Sequence, residues 1–237
     1  MHQALSLVGY KKSGKTSLML ELLEEFNRRD IKVSAAKFAH HSFDRQQTDT
    51  ARISSLARDV AGLTDSETML CWSGKKYLPD LLPLMEGDVL LVEGGKNLGW
   101  LPRVILLNDP DQALELGNGL ALATWGKVST DHLPHIESIA QMADLLLDKG
   151  FILPGLDCGS CGHEKCIDLA RSIVAENATP DDCLAKKTSL RVNINGKALG
   201  MNPFVETIIS KSILAMISEL KGYSPGRVEI TIDRPSA

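Results

Sequence analysis

Apolar positions along the chain fall into two rhythms, short continuous runs and stretches spaced three to four residues apart, and their alternation predicts strands interleaved with helices. Leu5-Ser6-Leu7-Val8 reads as a short buried strand. A Gly/Lys/Ser turn follows, and then residues 17–26, whose apolar positions recur with helical spacing. Residues 31–36 read as a second strand, while residues 50–60 place Ile53, Leu56, Ala57 and Val60 on one helical face. Further strands are expected at 68–72, 89–92, 104–107 and 120–124, with helices at 78–85 and 135–147. Several of these strands are almost wholly apolar, as a mostly parallel sheet covered on both faces requires, so an α/β domain over residues 1–150 is expected.

After Gly150 the texture changes. Residues 151–187 are rich in Cys and Gly, with a helix expected over 166–176 and a break at Ala178-Thr179-Pro180. This stretch is too small to fold on packing alone. Residues 188–237 read as a small α+β tail. A strand at 190–194 meets an Asn195-Gly196 hairpin turn, because Asn-Gly readily supplies the positive φ angles of a type I′ turn. Asn202 as N-cap and Pro203 at the first helical position then open a helix with Val205, Ile208, Ile209, Ile213, Met216, Ile217 and Leu220 on its inner face, stopped at Gly222. A last strand is expected at 227–232.

Composition narrows the function classes. The 237 residues are 43% hydrophobic, with 26 Lys+Arg against 30 Asp+Glu and a formal net charge of −4. Such a chain buries a sizeable core and is not mainly disordered. A broad basic face for nucleic acid is not expected, since that affinity comes largely from phosphate neutralisation. No apolar run approaches the ~20 residues that cross a bilayer, and the first ten residues lack the layout of an export signal, so a cytoplasmic protein without a membrane partner is expected. Four of the five cysteines crowd between Cys158 and Cys183, which is metal-ligand spacing. Cys71 stands apart and reads as a small buried hydrophobe.

Gly9-Tyr10-Lys11-Lys12-Ser13-Gly14-Lys15-Thr16 matches G-x-x-x-x-G-K-[ST] and sits between an expected strand and an expected helix, the context of a phosphate-binding P-loop. Gly9 and Gly14 let the backbone curl so that its N–H groups converge on phosphate oxygens. The helix N-terminus adds partial positive charge, Lys15 reaches the β/γ-phosphates and the Thr16 hydroxyl ligates Mg²⁺. Ser13 and Ser17 complete the nucleotide-binding set. Lys11 and Lys12 either add to the phosphate field or belong to a solvated loop. The acidic partner that such a loop needs is best supplied by Glu93, at the end of the strand Val89-Leu90-Leu91-Val92. Asp44 and Asp49 follow the second strand, where a loop could fold over the γ-phosphate and Mg²⁺, although Asp49 could instead cap a helix, the commoner use of such a residue. Asn108 and Asp111 have the spacing of a guanine-reading motif, but Asn-Asp-Pro-Asp is a strong turn sequence and the turn is preferred.

With these motifs assembled, residues 1–150 resemble the MobB family, GTP-binding proteins of molybdopterin guanine dinucleotide synthesis. That family carries a P-loop, then D-x-x-x-x-D-[ST]-x-R, matched by Asp44, Asp49, Thr50 and Arg52. A V-E-G-x-K strand end follows, matched by Val92, Glu93, Gly94 and Lys96, and Leu101-Pro102-Arg103-Val104 is similar to the family's L-P-K-[IV]. Gly95 departs from the larger residue usual at its position, and Arg45-Gln46-Gln47 stands where Pro and Gly are common. The resemblance implies a homodimeric, slow GTPase that assists MobA, the guanylyltransferase that attaches GMP to molybdopterin. Lys15, Asp49 and Glu93 would serve hydrolysis, and Thr16, Asp44, Asp49 and Glu93 would surround magnesium.

Cys158-x₂-Cys161-x₄-Cys166-x₁₆-Cys183 offers four thiolates, a compact trio and a distant fourth, with Gly155, Gly159 and Gly162 allowing the backbone to wrap closely around a ligand cage. Structural zinc usually takes two Cys-x₂-Cys knuckles, so the asymmetry leans toward a [4Fe–4S] cluster. His163 could substitute as a ligand. The stretch is similar to the four-cysteine iron–sulfur domain of ferredoxin-like subunits and corrinoid proteins, and the tail resembles that of MobB-like proteins of anaerobes. The leading expectation is a GTP-binding accessory protein of molybdenum cofactor biosynthesis with an added iron–sulfur module. Its rivals are an NTPase delivering electrons or metal to another metalloenzyme, and a non-catalytic module switched by nucleotide.

Overall fold

The computed structural model describes residues 3–39, 52–53, 56–72, 74–187, 190, 192–194, 197–199, 201, 203–226 and 228–232. Six strands form one sheet: β1 (Gln3–Gly9), β2 (Val33–Lys37), β5 (Val89–Glu93), β6 (Arg103–Leu106), β7 (Ala121–Trp125) and the short β8 (His135–Ile136). Their order is β2-β5-β1-β6-β7-β8 and every pairing is parallel. The first strand is therefore central, and the loop that leaves it emerges at the carboxyl edge of the sheet, where ligands of open α/β sheets bind.

Both faces of this sheet are dry, which explains why β5 is apolar at consecutive positions. Val89 and Leu91 face a core that includes Leu18, Leu22 and Phe26 of α1 (Lys15–Arg28) and Met142 and Leu146 of the helix Ile139–Lys149. Leu90 and Val92 face the other way, onto Leu78, Trp100, Leu101 and Leu120, and onto Phe151, Leu153, Leu169 and Cys183 from the Cys-rich stretch. That stretch lies against the sheet, with its helix Cys166–Val174 burying Leu169 and Ala170.

Several expectations are corrected. The apolar spacing over 50–60 does not produce a helix of that length. Leu56 and Ala57 N–H donate to the Ile53 carbonyl, one helical turn, and Leu56 is 93% exposed rather than on a packed face. From Asp59 the chain is extended. The strand β3 (Asp59–Leu63) pairs antiparallel with β4 (Thr68–Trp72), closed by a turn in which Thr64 N–H donates to the Glu67 carbonyl at 3.0 Å. Val60 and Leu63 belong to that hairpin, whose cross-strand pairing outweighs the local helical spacing. Residues 135–147 divide: His135 and Ile136 pair with Thr124 and Trp125, and the helix starts only after Ser138, whose side chain accepts from Gln141 N–H.

In the tail, β9 (Asn193–Ile194) and β10 (Lys197–Ala198) form the expected short hairpin and Pro203–Ser218 is a helix. Asn195, Gly196 and Asn202 lie outside the described residues. The helix has a narrower inner face than expected: Ile209, Ile213 and Ile217 are half-buried, whereas Val205, Ile208, Met216 and Leu220 are exposed. Residues 228–232 are not a strand, and Val228, Ile230 and Ile232 are exposed.

Candidate functional site

Residues 9–16 form a tight loop between β1 and α1, and its glycines are there for steric reasons. A Cβ on Gly9 would collide with the Ser13 Oγ and lie 2.5 Å from the Leu106 carbonyl, and Gly14 has φ +91°, which an L side chain rarely adopts. Lys15 opens the helix and folds back across the loop, its Nζ donating to the Tyr10 carbonyl at 2.6 Å and to Ser13 Oγ at 3.3 Å. Burial pushes its ammonium below the ordinary lysine value, Glu93 pulls it back up and Lys37 adds to the fall. Ser17 is exposed in the first turn of α1.

Thr16 and Glu93 come together. The Thr16 hydroxyl donates to Glu93 Oε1 at 2.8 Å, across 77 positions of sequence. Glu93 is held at the end of β5 with its side chain 8% exposed, and the next two residues turn sharply away, Gly94 at φ +85° and Gly95 at φ +69°. Lys37 Nζ bonds both partners, Glu93 Oε2 at 2.9 Å and Thr16 Oγ1 at 3.2 Å. Lys37 was not among the residues singled out from sequence. Its signal was positional, because it ends β2 directly beside Glu93 in the parallel register. Asp44 and Asp49 lie outside the described residues. Asn108 and Asp111 belong to a turn: Asp109 Oδ1 accepts from Asp111 N–H at 2.9 Å, and Asn108 N–H donates to Gln112 Oε1 at 3.1 Å.

On the other face of the sheet, Cys158, Cys161, Cys166 and Cys183 line one small pocket with His163, and none is in a disulfide. The backbone wraps this pocket through left-handed residues at Gly155, Asp157, Gly159 and Gly162. Asp157 clasps Cys166 at both ends, its carboxylate accepting from Cys166 N–H at 2.6 Å while its own N–H points to the Cys166 sulfur at 3.4 Å. Burial raises the thiols of Cys166 and Cys183 above their ordinary values. Among the described residues, no three His, Cys, Asp or Glu side chains converge closely enough to hold a single ion.

The connection from Glu93 to β6 runs between the two places. Gly99 packs on Ile167, the neighbour of Cys166, and a Cβ there would come within 2.8 Å of the Ile167 Cβ. The Trp100 carbonyl accepts from Leu153 N–H at 2.9 Å, and the Trp100 ring covers Gly155.

The family model for "Molybdopterin guanine dinucleotide synthesis protein B" matches residues 4–124, and one described as "Putative Fe-S cluster" matches residues 153–185. The chain is 28% identical to a Methanocaldococcus jannaschii protein named "Putative molybdopterin-guanine dinucleotide biosynthesis adapter protein", over 98% of this chain and 97% of that one. It is also 28% identical to a Haemophilus influenzae molybdopterin-guanine dinucleotide biosynthesis adapter protein, over 60% of this chain and 86% of the relative. The fold is that of the crystal structure of Bacillus subtilis MobB, with TM-score 0.52 at 23% identity, covering 62% of this chain and 96% of that one. A second MobB crystal structure gives 0.51 at 20% identity, covering 61% and 97%. With its P-loop, its VEGGK strand end and a family match over more than half its length, the chain belongs to the MobB family.

Proposed function

We propose that this protein is a GTP-binding accessory protein of molybdopterin guanine dinucleotide synthesis that hydrolyses its nucleotide slowly and carries an iron–sulfur cluster. The observation that carries the reading is the junction of the P-loop Thr16 with Glu93, beside a lysine folded over a loop with no room for a side chain at Gly9 and a left-handed backbone at Gly14. Backbone N–H groups of residues 11–16 and the start of α1 would receive the phosphates, with Lys15 supplying the fixed charge. Thr16 and Glu93 would hold magnesium, which when bound neutralises charge on the β- and γ-phosphates. Asp44 and Asp49 would join them. The preference for GTP, a homodimer and a guanylyltransferase partner rest on the resemblance to the MobB family, and the names of the relatives add only an adapter's place in molybdopterin-guanine dinucleotide biosynthesis. No arginine finger or water-positioning glutamine is identifiable in the sequence motifs, which fits slow turnover without a partner.

The four cysteines suit an iron–sulfur cluster as its ligands. They line a single pocket, none is spent on a disulfide, and the backbone around them is coiled through left-handed residues, of which Asp157 turns its N–H toward the Cys166 sulfur. A bound cluster would tie the four cysteines of this packed segment together and supply a one-electron redox centre.

Two measurements test the reading. Calorimetric titration should show Mg–GTP binding that Lys15→Ala abolishes, and Lys15→Ala protein binding GTP and ATP as tightly as the wild type would overturn it. Anaerobic purification with iron, sulfide and zinc analysis should find iron and sulfide, and stoichiometric zinc would remove the cluster.

A further inference from the structure

Lys37 is the charged group at this site that no motif accounts for. Its ammonium sits on the two oxygens that would hold magnesium, 2.9 Å from Glu93 Oε2 and 3.2 Å from Thr16 Oγ1. The lysine side chain is 47% exposed but that of Glu93 only 8%, so the ammonium neutralises a carboxylate that is otherwise buried. That pairing would no longer be needed once magnesium took the same carboxylate, and a second use for the lysine then follows.

Charge points to that use. Lys15 and Lys37 reach the site from different elements, one from the loop after β1 and one from the end of β2, and Glu93 interacts with both. One carboxylate between two ammonium groups leaves this trio with a net positive charge, suited to a polyanion. If Thr16 and Glu93 take up magnesium, Lys37 faces a divalent cation across the same two oxygens and is repelled. Its long, flexible and half-exposed stem lets the ammonium move, and the terminal phosphate is the anion a magnesium–triphosphate brings with it.

We propose that Lys37 is a catalytic residue that exchanges its contacts with Thr16 and Glu93 for the γ-phosphate when the magnesium nucleotide binds, supplying in cis the positive charge that the sequence motifs lack. The proposal rests on the nucleotide reading given above. In the step it serves, the oxygen of a water molecule bonds to the γ-phosphorus. The bond from that phosphorus to the β,γ-bridging oxygen breaks, and its electron pair leaves on the nucleoside diphosphate. The surplus proton of the water passes to solvent or to the released phosphate. Lys37 donates a hydrogen bond to a γ-oxygen throughout and is unchanged at the end.

The test compares GTP with GDP, because only GTP carries the phosphate in question. Full-length wild type, Lys37→Met and Lys37→Arg proteins are titrated with each nucleotide in magnesium buffer, and single-turnover hydrolysis is followed alongside. Losing a hydrogen bond between charged groups should cost Lys37→Met about 10- to 100-fold in GTP affinity, leave GDP affinity within about twofold, and slow hydrolysis at least as much. Lys37→Arg should recover most of the GTP preference. A lysine that only steadies Glu93 would weaken both nucleotides together, since both use the same magnesium ligands. Parallel losses, or an unchanged GTP-to-GDP ratio, overturn the proposal. Lys15→Ala runs beside these variants: if it too binds GTP normally, the nucleotide reading has failed, whereas its loss of binding beside an unchanged ratio in Lys37→Met refutes the role of Lys37 alone.

Discussion

Arg103 carries a positive charge into the interior at 1% exposure and meets no carboxylate among the described residues. It is held by carbonyls instead: Nη1 donates to Lys96 at 3.0 Å and Leu116 at 2.9 Å, and Nη2 to Leu98 at 2.8 Å. Nε is buried without a partner. Burial, and secondarily the nearby Arg171, push the guanidinium down to about 10, so at neutral pH it stays charged and its donors stay in place. Two separate connections are pinned this way, the one after Glu93 and the one before β7, and a planar fork reaches both where an ammonium could not. Arg103→Met removes the donor from the buried Leu116 carbonyl and from the part-buried Lys96 and Leu98 carbonyls, at up to about 1–3 kcal/mol each, partly offset by no longer burying a charge. A net loss of roughly 2–4 kcal/mol in urea unfolding is expected, with Arg103→Lys in between, and an unchanged midpoint would contradict the role given to the fork. Little of this was legible in sequence. An arginine before Val104-Ile105-Leu106 reads as the exposed start of a strand, and what encloses it comes from Leu116 and from the neighbourhood of Arg171, far along the chain. Lys37 escaped for a related reason: local pattern ends the second strand at Ala36, and only pairing with Glu93 gives the next residue a purpose.

Elements were legible where local pattern and tertiary need agree. The P-loop is legible because strand, glycine turn and helix are consecutive, and β5 because a sheet covered twice demands an unbroken apolar run. The hairpin of Asp59–Leu63 and Thr68–Trp72 is only half legible, since residues 53–60 satisfy helical spacing and nothing nearby announces that β4 pairs with the segment from Asp59. The connection from Gly94 to Pro102 looks like an ordinary turn, yet one end follows Glu93 and the other packs on the Cys-rich stretch through Gly99 and Trp100. Gly99 has no room for a side chain, because a Cβ there would meet the Ile167 Cβ at 2.8 Å, against backbone-anchored atoms that cannot swing clear. Gly99→Val should therefore lift the helix Cys166–Val174 and displace Cys166. The expected result is lower iron content after anaerobic purification, with Mg–GTP affinity in titration kept within a few-fold. Full iron content in this variant would mean that the helix is seated independently of the loop.

At the scale of the whole molecule, the question is what covers the second face of the sheet. Leu90 and Val92 are fully buried there, and part of their cover is Phe151, Leu153, Leu169, Ala170 and Cys183. The Cys-rich stretch is thus a layer of the α/β core as well as a candidate metal site, and this answers how so short a segment folds at all: it borrows the sheet's apolar surface. An exposed pair ties its far end to the other layer, Lys149 Nζ meeting Glu176 Oε1 at 2.8 Å. The tail stands in contrast. None of the three buried clusters draws on a described residue beyond Ala185, and apolar side chains of the last helix, such as Phe204 and Met216, remain largely exposed. The two truncations should accordingly behave in opposite ways. A chain ending after residue 187 keeps both layers and should melt close to the full-length protein. A chain ending at Gly150 uncovers Leu101, Leu120 and the inner face of β5, and several large side chains at about 1.5–3 kcal/mol each exceed what a domain of ordinary stability can lose. It should bind a hydrophobic dye, unfold at a much lower temperature and bind GTP weakly if at all. A stable, dye-negative 1–150 fragment would mean that the sheet closes its second face without the cysteines, and that the two sites share a chain but not a core.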